Sequence, residues 1–89
     1  MGNPLLNREG AETLALQALA HIVGDADLGP RFLELTGLDV ATLRTRAGQS
    51  DVLAAALGFL DSHEPSLIAT AAALGIKPSA LVAAHDVLA

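Results

Sequence analysis

Three histidines are the side chains of this sequence best suited to metal binding or proton transfer. No two of His21, His63 and His85 have the i, i+4 spacing that places two metal ligands on one helical face. The carboxylates adjacent to them in sequence are Glu64 and Asp86. We therefore expect surface or core-edge histidines, and no metal site.

The nucleophiles of the chain do not form a catalytic constellation. The sequence has no cysteine, which excludes a thiolate nucleophile and a disulfide framework. The serines are predicted at caps or helix ends, with Ser50 as the N-cap of the fourth helix. A glycine-rich phosphate loop is absent from the sequence. Because nothing pairs a nucleophile with a base, we expect a protein that is not an enzyme and binds no cofactor.

The charge of the chain disfavours nucleic acid as a partner. The formal net charge is −5 and the isoelectric point is about 4.8. Nucleic-acid affinity comes mainly from lysine and arginine side chains that neutralise phosphates. A basic patch would have to be assembled from Arg8, Arg31, Arg44, Arg46 and Lys77.

The segment 66–88 nevertheless resembles a DNA-binding helix-turn-helix. The small, glycine and apolar positions of that motif are filled by Ala71, Gly75, Ile76 and Leu81. The helix that would read the DNA, 78–87, has no arginine, lysine, asparagine or glutamine to contact bases or phosphates. A structural corner is therefore favoured, and a DNA-binding accessory protein is the alternative function.

The composition favours helices. Apolar residues make up 52% of the chain but aromatic residues only 2%, so leucine, alanine, valine and isoleucine dominate. Alanine and leucine are strong helix formers, and the residues that favour strands are sparse. We expect residues 1–89 to form a single helical domain, with 1–7 as an N-terminal arm. The predicted fold is all-α, a compact bundle of five to six short helices.

The hydropathy pattern gives no membrane-spanning segment. The uncharged runs 13–24 and 65–76 fall short of the roughly 18 to 20 apolar residues that such a helix needs. The absence of cysteine fits a reducing compartment. We expect a cytoplasmic protein with no membrane partner.

Capping residues predict where the helices begin and end. We expect helices over about 8–23, 28–36, 40–47, 51–62, 65–74 and 78–88. The core-facing positions predicted for the second and third helices are Phe32, Leu33, Leu35, Val40, Leu43 and Ala47. Gly58 weakens the fourth helix, which predicts the close approach of a neighbouring helix, with helix 1 as the natural candidate.

Two glycine corners connect these helices. In each, a glycine fits the left-handed position that ends a helix, and the next aliphatic residue packs back on the last turn. The residues assigned to the corners are Phe32, Gly37, Leu38, Asp39, Gly75 and Ile76. The similarity fades outside the corners, so shared capping chemistry explains it better than an internal duplication.

Helix 1 has more apolar surface than a single buried face requires. Between residues 14 and 23 its polar side chains are Gln17 and His21, so roughly two thirds of its circumference is apolar. We predict an interaction surface at Leu16, Ala20 and Val23, for a protein partner or for a second copy in a homodimer. The alternative is a closed monomer. The favoured function is a small non-enzymatic protein-interaction or regulatory module.

The stretch from Phe32 to Leu38 also resembles a known family. Its Phe-Leu-x-Leu-Thr-Gly-Leu pattern, with Arg44 and Ala47 completing a following Arg-x-x-Ala, is similar to that of short alphaproteobacterial proteins classified as a domain of unknown function. The similarity extends from helix 1 through the Gly75 corner. The resemblance implies an all-helical cytoplasmic protein, and it implies no activity and no catalytic residue.

Overall fold

The computed structural model describes residues 7–89, which form six α-helices and no strand. The helices are α1 (Arg8–Gly24), α2 (Leu28–Thr36), α3 (Val40–Arg46), α4 (Ser50–Asp61), α5 (Glu64–Leu74) and α6 (Pro78–Leu88). The all-α prediction is confirmed, and the predicted helix ends differ from these by no more than about one residue. Of the predicted arm, residues 1–6 lie outside the described residues, and Asn7 is the N-cap of α1, accepting a hydrogen bond from the amide of Gly10 at 2.7 Å.

Helix α1 lies at the centre of the bundle. It packs closely against α2, α4, α5 and α6. Its buried residues include three alanines, whose small side chains let the neighbouring helices approach: Ala11, Leu14, Ala15, Ala18, Leu19 and Ile22. Burial of this apolar surface stabilises the fold by about 25 cal/mol per Å². The broad apolar circumference of α1 is therefore used mainly inside the core.

The corner between α2 and α3 has the predicted geometry. Gly37 adopts the left-handed conformation, with φ of 73°, and its amide donates a hydrogen bond to the carbonyl of Leu33 at 2.9 Å. Leu38 is partly buried against the core. Asp39 caps α3, because its Oδ1 accepts a hydrogen bond from the amide of Thr42 at 2.6 Å. The prediction for this corner is confirmed in its backbone geometry and in its cap.

Phe32 anchors α2 in the core. It is fully buried, and its ring centroid lies 5.5 Å from that of Phe59 in an edge-to-face arrangement. Leu35 was also predicted to face the core, and this prediction is wrong, because its side chain is 73% exposed. Helix α2 buries only one narrow face, formed by Leu28, Gly29 and Phe32.

The corner between α5 and α6 uses a different set of hydrogen bonds. Gly75 is again left-handed, with φ of 71°. The amide of Ile76 donates to the carbonyl of Ala71 at 3.0 Å, and that of Gly75 donates to the carbonyl of Ala72 at 3.1 Å, which is the Schellman pattern. Among the described helices none is by itself long and apolar enough to cross a membrane, and α5 and α6 meet that criterion only as a pair bent by 104°.

Gly58 admits α6 at close range, and not α1 as predicted. A Cβ atom at Gly58 would lie 3.4 Å from Nε2 of His85. The same imidazole is held by a hydrogen bond between its Nδ1 and Oδ2 of Asp61 at 2.7 Å. Helix α4 packs closely against both α1 and α6. The glycine therefore makes room for an imidazole and not for the backbone of α1.

Ser50 is the first residue of α4, and the prediction that it is the N-cap is wrong, because Gln49 occupies that position. Its Oγ accepts a hydrogen bond from Nη2 of Arg8 at 2.8 Å and lies 3.5 Å from Oε2 of Glu12. The hydroxyl thus connects the first turn of α4 to the first turns of α1.

Candidate interaction groove

Helix α3 packs only loosely on the other helices, and it leaves an apolar groove beside α1. This space, the α1–α3 groove, has a volume of about 460 Å³. Its lining residues come from α1, α2, α3 and the residue that follows α3: Leu16, Leu19, Ala20, Val23, Gly29, Pro30, Leu33, Val40, Leu43, Arg44 and Ala47. All of them are apolar or glycine except Arg44.

The α1 wall of the groove contains the three residues predicted as an interaction surface. Leu16, Ala20 and Val23 have the i, i+4, i+7 spacing that aligns side chains along one helical face. Leu16 is 48% exposed and Val23 is 47% exposed, whereas the neighbouring Leu19 is buried. The structure places all three in one wall, with Leu19 between them and the core. Their binding of a partner stays a prediction.

The α2 wall is fixed in place at the first turn of that helix. A Cβ atom at Gly29 would lie 3.3 Å from the carbonyl oxygen of Ile22, so α2 begins directly against the last turn of α1. Oδ1 of Asp25 accepts hydrogen bonds from the amides of Leu28 at 2.9 Å and Asp27 at 2.8 Å. These two bonds lower the pKa of Asp25, that from Leu28 most, because they stabilise the carboxylate form.

The α3 wall begins at the cap provided by Asp39. The hydrogen bond from the amide of Thr42 lowers the pKa of Asp39, since it favours the charged carboxylate. Leu43 is buried, as predicted, but Val40 is 57% exposed, and the prediction that it is buried is wrong. Because α3 packs only loosely on the bundle, the side chain of Val40 lies at the rim of the groove.

Arg44 is the charged residue of the groove. Each of the other three arginines makes an ion pair within the described part of the chain, with partners Glu12 for Arg8, Asp27 for Arg31 and Asp51 for Arg46. Arg44 makes no such pair with a described residue, and its side chain is exposed. Its guanidinium group is available to a carboxylate of a partner.

Residues 8–89 match the family DUF3572, which is described as a protein of unknown function. The chain belongs to this family. The match covers all six helices and every residue of the groove. Neither a curated protein nor a solved structure matches the chain significantly.

The expected membership of a family of unknown function is thereby confirmed. The alphaproteobacterial origin and the specific motif stay predictions. The description of the family assigns no activity to any residue. Roles for the residues of this family member must therefore come from geometry and chemistry.

The histidines of this family member lie in separate local arrangements. Nδ1 of His63 is 2.6 Å from Oγ of Ser66 at the start of α5, so the expectation that no hydroxyl is paired with a base is wrong at this position. His85 is paired with Asp61. Ser66 is only 8% exposed, which limits access to its hydroxyl. Within residues 7–89, no three or more histidine or acidic side chains are grouped so that they would hold a metal ion.

The helix-turn-helix-like segment has the bend of that motif but lacks its chemistry. The angle of 104° between α5 and α6 falls in the range of about 90 to 120° typical of such units. The residues exposed along α6 are Ser79, Val82 and Asp86, and its opposite face is buried against α1 and α4. The outer face of α6 therefore offers no cation to a phosphate or to a base edge.

The sequence pattern predicts only one wall of the groove, that of α1. The lining residues that the sequence did not assign to an interaction surface are Leu19, Gly29, Pro30, Leu33, Val40, Leu43, Arg44 and Ala47. Several of them have the apolar spacing of an ordinary core-facing helix, so their periodicity does not indicate that a groove lies beside them. The shortness of α3, which has 7 residues, is the one feature of the sequence that indicates limited packing.

Proposed function

We propose that this chain is a non-enzymatic protein-interaction module that binds a helix of a partner protein in the α1–α3 groove. The observation that carries the proposal is the apolar groove, with three residues of α1 aligned along one wall. The proposal includes a single helical domain over residues 1–89 and a cytoplasmic location, as the sequence predicts.

The dimensions of the groove suit a short amphipathic helix. From Leu16 to Val23 the wall extends over seven residue steps, or about 10 Å at 1.5 Å per step. This length accommodates roughly two turns of a partner helix, whose apolar side chains at i, i+3 or i+4, and i+7 would enter the groove. Arg44 adds a preference for a partner with a carboxylate near the contact.

The half-exposed leucine and valine side chains are a source of binding energy. Removal of their apolar surface from water contributes about 25 cal/mol per Å² before the costs of association are subtracted. Single exposed apolar residues are common on proteins, but here several lie together around one concave space. That concentration favours a binding surface over incidental exposure.

Site-specific photo-crosslinking tests the proposed function. A photoreactive p-benzoylphenylalanine replaces Val40 at the rim of the groove, and in a matched control it replaces Ile68 on α5, which is 49% exposed and does not line the groove. Irradiation in the native cell is expected to give discrete protein adducts from position 40 and none from position 68. Leu16→Glu, introduced together with the probe at position 40, is expected to abolish the adducts, because it puts a charge into the apolar contact.

Equal labelling from both positions would refute the proposal. So would adducts from position 40 that persist after Leu16→Glu. Circular dichroism of each variant verifies that the helices are retained, so that a lost adduct reports binding and not folding.

A further inference from the structure

We infer that the partner helix is α1 of a second copy of this chain, so that two copies form a symmetric dimer through their α1–α3 grooves. The inference rests on the proposed function and adds the identity of the partner. In this dimer the two α1 helices are antiparallel, and the two-fold axis passes beside Ala20.

The spacing of the exposed stripe on α1 is self-complementary. Ala20 lies four residues after Leu16 and three residues before Val23. When two such helices cross antiparallel at Ala20, Leu16 of each copy lies within one residue step, about 1.5 Å, of the position opposite Val23 of the partner subunit. The small methyl group at the crossing lets the helix axes approach to about 8 Å, while the larger side chains on either side enter the grooves. A two-fold interface requires this kind of match between a surface and itself.

The charges also favour a second copy on this face. The chain carries 10 acidic and 5 basic residues, yet none of the residues that line the groove is acidic. Two copies with a net charge of −5 repel each other through most of their surfaces. Contact through the groove keeps carboxylates out of the apolar contact itself, and the positive charge of the exposed Arg44 is attracted to the net negative charge of the second copy around that contact. The groove is therefore the face on which self-association meets the least repulsion.

The size of the face sets the expected strength of the dimer. The groove has 11 lining residues, about half of the roughly 20 to 30 residues on each side of a standard interface. We therefore expect a reversible dimer, with a dissociation constant on the order of 10 to 100 μM.

Sedimentation equilibrium of the purified chain tests the inference. The mass is expected to rise from 9.0 kDa toward twice that value as the concentration increases from about 5 μM to about 1 mM. Leu16→Glu is expected to raise the dissociation constant at least about 100-fold, because each dimer would bury two carboxylates. The matched control Ile68→Glu changes a side chain of nearly the same exposure, 49% against 48%, and is expected to leave the dimer unchanged.

A charge exchange tests the antiparallel pairing itself. Leu16→Glu and Val23→Lys are each expected to be monomeric alone. When the two variants are mixed, Leu16→Glu of one copy lies opposite Val23→Lys of the other, and a heterodimer is expected. A mixture that stays monomeric, under conditions in which the unmodified chain dimerises, overturns the antiparallel arrangement.

The outcomes separate this inference from the proposed function. Suppose that the purified chain stays at 9.0 kDa up to about 1 mM while the probe at Val40 still labels a different protein in the cell. The inference that the partner is a second copy is then overturned, and the proposed function stands. If the chain stays monomeric and the probe labels nothing, both are overturned. Equal weakening of the dimer by Leu16→Glu and Ile68→Glu overturns the placement of the interface at the groove.

Discussion

Replacement of Gly37 by alanine isolates the backbone requirement of the corner between α2 and α3. The residue has φ of 73°, a conformation that side chains of L-amino acids rarely adopt. A Cβ atom at this position would meet no other atom within 4 Å. Any loss of stability therefore comes from the backbone conformation and not from a clash.

The expected loss follows from two opposing contributions. Holding alanine in the left-handed region costs about 1 to 2 kcal/mol. The reduced freedom of alanine in the unfolded chain offsets about 0.4 to 1 kcal/mol of that cost. The net destabilisation is about 1 kcal/mol, which lowers the melting temperature of a domain of this size by about 4 to 8 °C.

Thermal and urea unfolding, followed by circular dichroism, measure this loss against two controls. The first control is Gly24→Ala. A Cβ atom at Gly24 would also meet no atom within 4 Å, but this residue does not have a positive φ. The substitution is expected to be neutral or to stabilise the fold by up to about 1 kcal/mol, because alanine is a better helix former than glycine at the end of α1. Gly37→Asn is expected to destabilise less than Gly37→Ala, since asparagine tolerates the left-handed region better than alanine does.

The order of the three variants in free energy of unfolding tests whether the left-handed backbone conformation causes the loss. If Gly37→Asn costs more than Gly37→Ala, side-chain size and not backbone conformation governs the position. An equal loss in Gly24→Ala and Gly37→Ala would show that the left-handed φ has no special energetic role.

Three further predictions concern the core, the caps and the alternative function. Phe32→Ala is expected to destabilise the fold by about 3 to 5 kcal/mol in urea unfolding, because it empties a fully buried site beside Phe59, and a loss under about 1 kcal/mol would contradict the packing. Asp25 and Asp39 have pKa values below the ordinary 3.8, so their contribution to stability is present above that pH and is lost as the pH falls through their lowered values. The double variant Asp25→Asn/Asp39→Asn is expected to lose less stability between pH 5 and pH 2 in acid titrations followed by circular dichroism, and an unchanged acid dependence would exclude these two carboxylates as its cause. No shift of random duplex DNA is expected in low-salt gel electrophoresis up to about 100 μM protein, and binding below that concentration would restore the DNA-binding alternative.

The α1–α3 groove is a feature of the assembled helical bundle. Helix α3 is tied to α2 by the Gly37 corner and capped by Asp39, so its direction is set by local geometry. Its packing is loose, and this leaves the side chain of Val40 exposed at the rim beside the stripe on α1. A longer α3 that packed fully on α1 would close the space. The groove is thus a consequence of the position and the short length of α3.

Features that depend on a few neighbouring residues can be predicted from the sequence alone. Glycine at 37 and 75 specifies two left-handed helix ends, and Asp39 specifies the start of α3, because each effect acts over a few residues of backbone. The all-α class and the helix limits follow from the same local preferences. The spacing of Leu16, Ala20 and Val23 on one face of α1 also needed only helical periodicity.

Which apolar faces meet depends on how the helices pack in the folded protein. Leu35 and Val40 have the spacing of core residues, yet both are largely exposed, because no helix within residues 7–89 covers those sides of α2 and α3. Gly58 was expected to admit α1 but lies against the imidazole of His85. Periodicity states which side of a helix is apolar and does not state which helix covers it, since that depends on contacts between residues far apart in the chain. The α1–α3 groove results from a missing contact between two helices. It therefore cannot be predicted from helical periodicity and is seen only in the folded structure.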